Sequence, residues 1–182
     1  NSSAESAVFT VVIDTAAPGV TVNPLKTTDT TPQLTGTVND PSATVKVTVN
    51  GRTYTALNNG NGTWILADDT TSPALADGVY DVGAVATDAA GNTGVDGTLD
   101  ELVIDTSPQV QVDPSQTVDE GQPTTVEASF TDGNPNDTHT ATIDWGDGFV
   151  DSAVVVEAEG TGTVFGSHTY MDNGDYTVVV RV

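Results

Sequence analysis

The residues of this sequence with the most definite chemistry are oxygen donors placed in repeated phrases. The phrase Ile-Asp-Thr occurs at 13–15 and again at 104–106, about 90 residues apart, which is close to the length of one small β-sandwich domain. A second phrase, Asp-Ala-Ala-Gly-Asn at 88–92, combines a carboxylate and an amide with small residues that let the loop backbone turn its carbonyls inward. Ca²⁺ takes about six to eight such oxygen ligands. These residue types therefore favour a cation site.

The other polar residues do not form a recognisable catalytic motif. The two histidines, His139 and His168, stand in a polar loop and in an apparent strand, with no nucleophile elbow and no metal-binding histidine pair. Cysteine is absent, which excludes disulfides and thiolate chemistry. A glycosidase-type pair of carboxylates would need a cleft, and nothing in the sequence predicts one. We therefore expect no enzymatic activity and no catalytic residues.

The charge balance limits the possible partners. The chain has 26 acidic and 4 basic residues, which gives a net charge of −22. Such a polyanion repels nucleic acid, and its own carboxylates repel one another unless counter-ions lie among them. No apolar run approaches the roughly 20 residues of a membrane span, and no signal peptide opens the sequence. We expect cations as companions, no nucleic-acid partner and no membrane span.

Apolar residues recur with a period of two rather than with a helical period. Asn-Gly dipeptides at 50–51 and 61–62 tolerate the positive φ of tight turns and indicate a β-meander over 45–67. Tyr80 and Tyr176 each begin an alternating run and are predicted to form structural tyrosine corners. The sequence therefore predicts an all-β protein of two tandem immunoglobulin-like β-sandwiches. The alternating runs lie at 45–49, 80–86, 141–145 and 176–182.

The sandwich prediction brings separated oxygen donors to one end of the first domain. The start of strand A lies at the same end of a sandwich as the B–C and F–G loops. Asp14 is therefore expected to meet the donors of both loops, and Ca²⁺ is favoured there by the type and number of these donors. The alternative is that Asp88 and Asn92 only form Asx turns that cap their own loop. The expected ligands are Asp14, Asn39, Asp40, Asp88 and Asn92.

Several motifs resemble known families, and the resemblance differs between the two halves. Thr-Thr-Pro-Gln-Leu-Thr-Gly at 30–36, Gly-Val-Tyr at 78–80 and the phrase at 88–92 resemble the bacterial Ig-like repeats of giant surface adhesins. Trp-Gly-Asp-Gly at 145–148 and His-Thr-Tyr at 168–170 resemble a PKD domain. Together these resemblances cover nearly the whole chain.

The resemblance implies a domain plan and a setting. Residues 15–106 would form a bacterial Ig-like domain and residues 107–182 a PKD-like domain that lacks its last strand. Alignment of Asp14 with Asp105 also places Asn1 opposite Asn92, so residues 1–14 are expected to be the G strand of a preceding domain. Modules of these families stand in series in extracellular or cell-surface bacterial proteins, often as spacers, and the bacterial Ig-like kind commonly binds Ca²⁺ at domain junctions.

The repeated Ile-Asp-Thr phrase predicts a second cation site. Asp105 takes the place of Asp14 at the junction between the two predicted domains, beside the B–C loop of the PKD-like domain. The alternative is that the acidic residues of this loop are only solvated. The donors expected around Asp105 are Asp132, Asn134, Asn136 and Asp137, with Asp29 or Asp77 from the first domain.

Two functions are compatible with these features. The first is a non-catalytic extracellular spacer or adhesion module of a repetitive bacterial surface protein, in which interdomain Ca²⁺ rigidifies the array of neighbouring Ig-like domains. The second is an accessory carbohydrate- or protein-binding module of a secreted hydrolase, which would need exposed aromatic side chains. Trp145 is expected in the core and Trp64 either in the core or exposed, and only 5% of residues are aromatic. We therefore favour the spacer.

The two ends of the chain suggest one further partner. An orphan strand at 1–14 and an open sheet edge in the PKD-like domain would allow head-to-tail strand exchange between copies of the chain. Phe9 and Val11 would then pair with a neighbouring chain. The alternative is that residues 1–10 fray or add to the first domain's own sheet.

Overall fold

The computed structural model describes residue 11 and residues 13–182. The regular structure of this part of the chain is entirely β, so the predicted all-β class is confirmed. No helix in the described residues is long and apolar enough to cross a membrane. The predicted strand at 1–14, including Phe9, lies mostly outside the described residues, and strand exchange at this end stays a prediction.

The strands are short, and the longest have nine residues. The first ten are β1 (Val20–Val22), β2 (Leu25–Thr27), β3 (Leu34–Val38), β4 (Thr44–Val49), β5 (Arg52–Asn58), β6 (Thr63–Leu66), β7 (Gly78–Tyr80), β8 (Val82–Thr87), β9 (Thr93–Val95) and β10 (Leu102–Ile104). They are followed by β11 (Gln109–Val112), β12 (Pro123–Thr131), β13 (Ala141–Asp144), β14 (Val150–Ala158), β15 (Thr161–Thr169) and β16 (Val179–Arg181).

The chain divides into two compact units, in agreement with the predicted pair of β-sandwiches. The first unit consists of the described residues up to Leu25 with Thr31–Leu75 and Val79–Val103. The second unit consists of Lys26–Thr30, Ala76–Gly78 and Ile104–Val182. The predicted domain boundaries, 15–106 and 107–182, stay predictions.

A seven-stranded sheet in the order β1-β3-β6-β5-β4-β8-β9 forms most of the first unit. Strands β4, β5 and β6 pair antiparallel in succession, which is the predicted meander. Asn50 and Gly51 both have positive φ, 48° and 71°, as a type I′ hairpin turn requires, and Val49 lies opposite Arg52. Strands β2, β10 and β7 form a separate three-stranded sheet.

Trp64 lies at the centre of the first unit and is fully buried. Its indole Nε1 donates a hydrogen bond of 2.9 Å to the backbone carbonyl of Thr21. A Cβ at Gly36 would collide with the indole ring, so this strand position needs a glycine. Of the two placements that the sequence left open for Trp64, the structure selects the core.

The second unit is a six-stranded sheet in the order β11-β12-β15-β14-β13-β16. The predicted alternation at 141–145 is confirmed, whereas 176–182 alternates between half-buried and exposed positions and is regular strand only from Val179 to Arg181. Tyr176 Oη donates a 3.0 Å hydrogen bond to the Asp172 carbonyl, the contact that a tyrosine corner predicts. The core residues are Ala128, Phe130, Ala141, Ile143, Trp145 and Val164.

Candidate cation sites

The loop between β8 and β9 in the first unit is organised around the carboxylate of Asp88. Asp88 Oδ1 accepts a 2.8 Å hydrogen bond from the Asn92 backbone N–H, and Oδ2 accepts a 2.8 Å hydrogen bond from the Asn92 side-chain amide. The hydrogen bond from the Asn92 side chain holds the pKa of Asp88 below its usual value. Gly91, with φ of 92°, closes the loop in a conformation that favours glycine. The carboxylate is therefore ionised and already serves as an acceptor.

Asp14 meets this loop through its backbone rather than through its carboxylate. The Asn92 side-chain amide donates a 3.1 Å hydrogen bond to the Asp14 carbonyl oxygen. The Asp14 side chain instead turns back, and its Oδ1 accepts a 3.0 Å hydrogen bond from the Ala16 N–H. The structure therefore brings Asp14, Asp88 and Asn92 together, as predicted, but in a capping arrangement.

Asn39 and Asp40, the other two predicted ligands, are engaged in their own loop. Asn39 Oδ1 accepts a 2.7 Å hydrogen bond from the Gly19 N–H. Asp40 Oδ1 accepts hydrogen bonds of 2.7 Å from both the N–H and the hydroxyl of Ser42, and these bonds lower the pKa of Asp40. The negative charge of Asp88 acts in the opposite direction, which indicates that the two carboxylates lie near each other.

The donor set of the first unit suits Ca²⁺ in kind, since it consists of carboxylate and amide oxygens. The hydrogen bonds by which Asp88 and Asn92 cap their own loop, which were the alternative to a calcium site, are present. Nevertheless, no group of three or more acidic or histidine side chains in the described part of the chain is arranged to hold a metal. A cation would have to draw Asp14 and Asp40 out of their Asx turns, so the calcium prediction stays untested.

The second copy of the Ile-Asp-Thr phrase, in the second unit, is held by three contacts. Asp105 Oδ2 lies 2.6 Å from the Lys26 ammonium, and the hydrogen bond from Lys26 holds the pKa of Asp105 below its usual value. The Asp105 N–H donates to the Thr27 carbonyl at 3.0 Å. Thr106 donates from its N–H and its hydroxyl to the two carboxylate oxygens of Asp77, each at 2.8 Å. The phrase is thus held at both of its polar residues, at Asp105 by the Lys26 ammonium and at Thr106 by the Asp77 carboxylate.

Asp105 also has an acidic neighbour, as the repeated phrase predicted. The Asp137 side chain lies within hydrogen-bonding reach of Asp105, and Asp137 Oδ1 accepts a 2.8 Å hydrogen bond from the Asn134 amide. An open cavity of about 510 Å³ in the second unit contains this pair. The cavity is lined by Asp105, Thr106, Ser107, Pro108, Asp132, Asn136, Asp137, Thr138 and His139.

Asp132 is less available to a cation, because its carboxylate already contacts the His139 ring. Its Oδ2 lies 3.3 Å from His139 Nε2, and its Oδ1 accepts a 2.7 Å hydrogen bond from the Asn134 N–H. The other side of His139 meets Glu157, with Nδ1 at 2.7 Å from Oε2. The hydrogen bond to Glu157 raises the pKa of His139 against the effect of burial. His139 therefore has a structural bridging role between two carboxylates.

Two residues of this region, Lys26 and Glu157, were missed by sequence reasoning. Lys26 and Glu157 lie far in sequence from Asp105 and His139, and their partners depend on strand register. Asp77 was considered as a ligand but serves as the acceptor for Thr106. A signal was available for Lys26, because a chain with only 4 basic residues will pair each one with a nearby carboxylate where it can.

The aromatic residues bear on the alternative function. Trp64 and Trp145 are both fully buried, and Trp145 Nε1 donates a 2.9 Å hydrogen bond to Asp151. Phe149 and Phe165 are exposed, by 62% and 40%. Because both tryptophan side chains are buried, neither can stack on a sugar ring at the protein surface.

Comparison with known proteins gives two family matches. Residues 7–106 match the family described as bacterial Ig-like domain, and residues 105–182 match the family described as PKD domain. No curated protein matches the chain.

One similar solved structure is described as structural insight into host cell surface retention of a 1.5-MDa bacterial ice-binding adhesin. It is 20% identical with a TM-score of 0.39, and the match covers 84% of this chain and 55% of that chain. The chain therefore spans about half the length of that structure.

Proposed function

Since the chain belongs to the bacterial Ig-like domain family and carries a PKD domain after it, we propose that it is a non-catalytic spacer or adhesion module of an extracellular bacterial surface protein. Its neighbours in the parent protein would be further Ig-like domains of the same chain. In this role the module transmits position and force along a series of domains, and its linkers matter as much as its cores.

One observation carries the proposal: both copies of the Ile-Asp-Thr phrase are held by side-chain hydrogen bonds. The first copy is held at the Asp14 carbonyl by Asn92, and the second at Asp105 by Lys26 and at Thr106 by Asp77. A flexible tether would not need such contacts, because a linker that only joins domains is best left solvated. Fixed linkers support a spacer that resists bending.

We propose further that Ca²⁺ stiffens these linkers. The carboxyl groups of Asp105 and Asp137 lie within hydrogen-bonding reach of each other in a chain of net charge −22. Among the described residues, the basic side chain paired with Asp105 is that of the exposed Lys26. A divalent cation would neutralise the two carboxylates. With a dissociation constant about tenfold below a millimolar extracellular concentration, it would stabilise each site by about 1.4 kcal/mol.

Calorimetry tests the calcium proposal. Titration with Ca²⁺ should release or absorb binding heat, and the melting temperature should rise by several degrees over the chelator-treated protein. Asp88→Asn should remove the first site, while Glu127→Gln, an exposed carboxylate on β12, is the matched control. An absence of both heat and thermal stabilisation would refute the calcium proposal.

Lys26→Gln separates the second site from the first. If Asp105 is a ligand, removing the competing ammonium should strengthen binding at the second site several-fold and leave the effect of Asp88→Asn unchanged. Small-angle scattering then tests the spacer: the calcium-bound chain should give a longer, more rigid profile than the chelator-treated chain. Identical profiles would contradict a stiffening role even if calcium binds.

The alternative, an accessory binding module of a secreted hydrolase, has less support. This function would require exposed aromatic side chains. Trp64, whose placement the sequence did not decide, is in the core. The proposed spacer needs no such surface.

A further inference from the structure

The second unit contains an open groove that neither cation site uses. It lies between residues 112–120, which follow β11, and residues 170–178, which lead into β16, and its volume is about 630 Å³. That volume falls within the range of about 300–1,000 Å³ typical of ligand sites. We call it the tyrosine groove after Tyr170 and Tyr176, which line it.

The walls of the tyrosine groove are held in place by hydrogen bonds. The Gln116 side chain donates to the Thr125 carbonyl at 2.9 Å and accepts from the Thr124 hydroxyl at 3.3 Å, which fixes the first wall to β12. The Gly121 N–H donates to the Tyr170 carbonyl at 3.1 Å, which joins that wall to the second. The groove is therefore preformed.

A row of aromatic rings runs from the core of the second unit to the groove. Buried Trp145 stacks on His168, with centroids 5.0 Å apart, and His168 meets the Tyr170 ring edge-on at 4.8 Å. Tyr170 in turn stacks on Tyr176 at 4.2 Å with an angle of 10° between the rings. Tyr176 ends the row, and its hydroxyl is already bound to the Asp172 carbonyl. A ligand in the groove would therefore contact the ring of Tyr176 rather than its hydroxyl.

The lining of the groove has negative charge and no positive charge. None of its acidic residues takes part in the ion pairs found among the described residues, and all five are exposed. Apolar side chains also line the groove, namely Val112, Val118, Val126 and Val178. The acidic residues are Asp113, Asp119, Glu120, Asp172 and Asp175.

From this combination we propose that the tyrosine groove binds an extended peptide segment of a partner protein that carries lysine or arginine side chains. Ammonium or guanidinium groups would pair with the carboxylates and contact the Tyr176 ring as cation–π partners. The aliphatic stems of the same side chains would pack on the valines. A bare metal ion would gain nothing from the valines of the lining, and a second copy of this chain is a poor partner because it has only 4 basic residues.

Fluorescence anisotropy with a labelled peptide of alternating lysine and valine tests the proposal on the full chain, with chelator present. We expect saturable binding that weakens as ionic strength rises, and no binding of the same peptide with glutamine in place of lysine. Absence of lysine-dependent binding at low ionic strength would overturn the proposal.

Matched charge variants distinguish the groove from the general negative charge of the protein. Glu120→Gln with Asp175→Asn should weaken peptide binding about tenfold. Glu127→Gln with Glu159→Gln removes the same charge from exposed positions outside the groove and should change it less than about twofold. Equal losses in both double variants would show nonspecific attraction and reject the groove as the site.

The aromatic contribution is tested at Tyr176. Tyr176→Phe keeps the ring and should bind the peptide as the unchanged protein does, whereas Tyr176→Leu should bind several-fold more weakly. Circular dichroism reports whether each variant is folded. If Tyr176→Leu folds and binds the peptide normally, the ring is not part of the site and the proposal fails in this form. If Tyr176→Leu does not fold, the charge variants still test the groove.

Discussion

The side-chain amide of Asn92 donates a hydrogen bond to the backbone carbonyl of Asp14, 78 residues earlier in the chain. The same amide holds the carboxylate of Asp88, so one side chain joins the β8–β9 loop to the segment that enters the first sandwich. Two residues later, Gly94 lies directly against the backbone of Pro18. The segment that enters this unit is therefore held in place by Asn92 and Gly94, which lie near the end of the same unit's sequence.

Replacing Asn92 by alanine should destabilise the first unit. Asn92→Ala removes the side-chain hydrogen bonds to Asp88 and Asp14 but keeps the backbone one, and the expected cost is about 1 kcal/mol. Urea unfolding measures it. Asn59→Ala, which removes one exposed local contact with Thr63, should cost less than about 0.5 kcal/mol. Equal stability of the two variants would contradict a role for Asn92 in holding the entry segment.

Adding a methyl group at Gly94 should be far more costly than adding one at Gly97. A Cβ at Gly94 would overlap the Pro18 carbonyl, whereas a Cβ at Gly97 would meet nothing within 4 Å. We expect Gly94→Ala to cost about 1–3 kcal/mol, as overpacking does. Gly97→Ala should be neutral or slightly stabilising through its effect on the unfolded chain. Thermal unfolding of the two variants measures this difference, and similar melting temperatures would be inconsistent with the close approach of the backbones.

Trp64→Phe tests the core placement of this residue. The change leaves the Thr21 carbonyl without its indole donor and removes part of the packing against Gly36, at an expected cost of about 1–3 kcal/mol. Phe149→Ala, at a residue 62% exposed, should cost less than about 0.5 kcal/mol. Denaturant unfolding compares them. A small effect at Trp64 together with loss of glycan binding would instead revive the hydrolase-module alternative.

The Asp147–His168 pair gives a pH dependence of known sign. Burial alone would raise the pKa of Asp147, but hydrogen bonds from His168 and the Phe149 N–H outweigh it and lower the pKa below the usual 3.8. A lowered pKa adds stability above the unfolded-state value, and that stability is lost as pH falls through the folded-state value.

Asp147→Asn should therefore be less stable than the unchanged protein near neutral pH. The difference should shrink once the pH falls below 3.8. Unfolding free energies measured across this range check the sign, and Asp175→Asn, an exposed carboxylate, is the control. A difference that grows on acidification would mean that the pair does not favour the ionised carboxylate.

Much of the fold could be predicted because its signals are local. Period-two alternation identified the buried faces of β4, β8 and β13, and the Asn50-Gly51 dipeptide identified the β4–β5 turn. The placement of Trp64 was not decided by sequence, because in β6 it depends on which residues of the neighbouring strands β3 and β5 lie opposite. Register of this kind is set by contacts between distant strands.

The candidate sites were predictable in part for the same reason. Family-like loop phrases identified the acidic clusters, and the structure does bring Asp88 to Asn92 and Asp105 to Asp137. The orientation of each carboxylate was not predictable, since Asp14 and Asp40 turn toward nearby backbone N–H groups rather than toward one another. Short-range hydrogen bonds of this kind compete with any common ligand.

The chain has two tryptophans, and each is fully buried in a different unit. Each unit therefore contains one native fluorophore shielded from water, and single-tryptophan proteins would report separately on either half by emission wavelength. Trp145 additionally stacks on His168, a ring contact that is lost when the second unit unfolds. The two optical signals would show directly whether the halves melt together or one after the other.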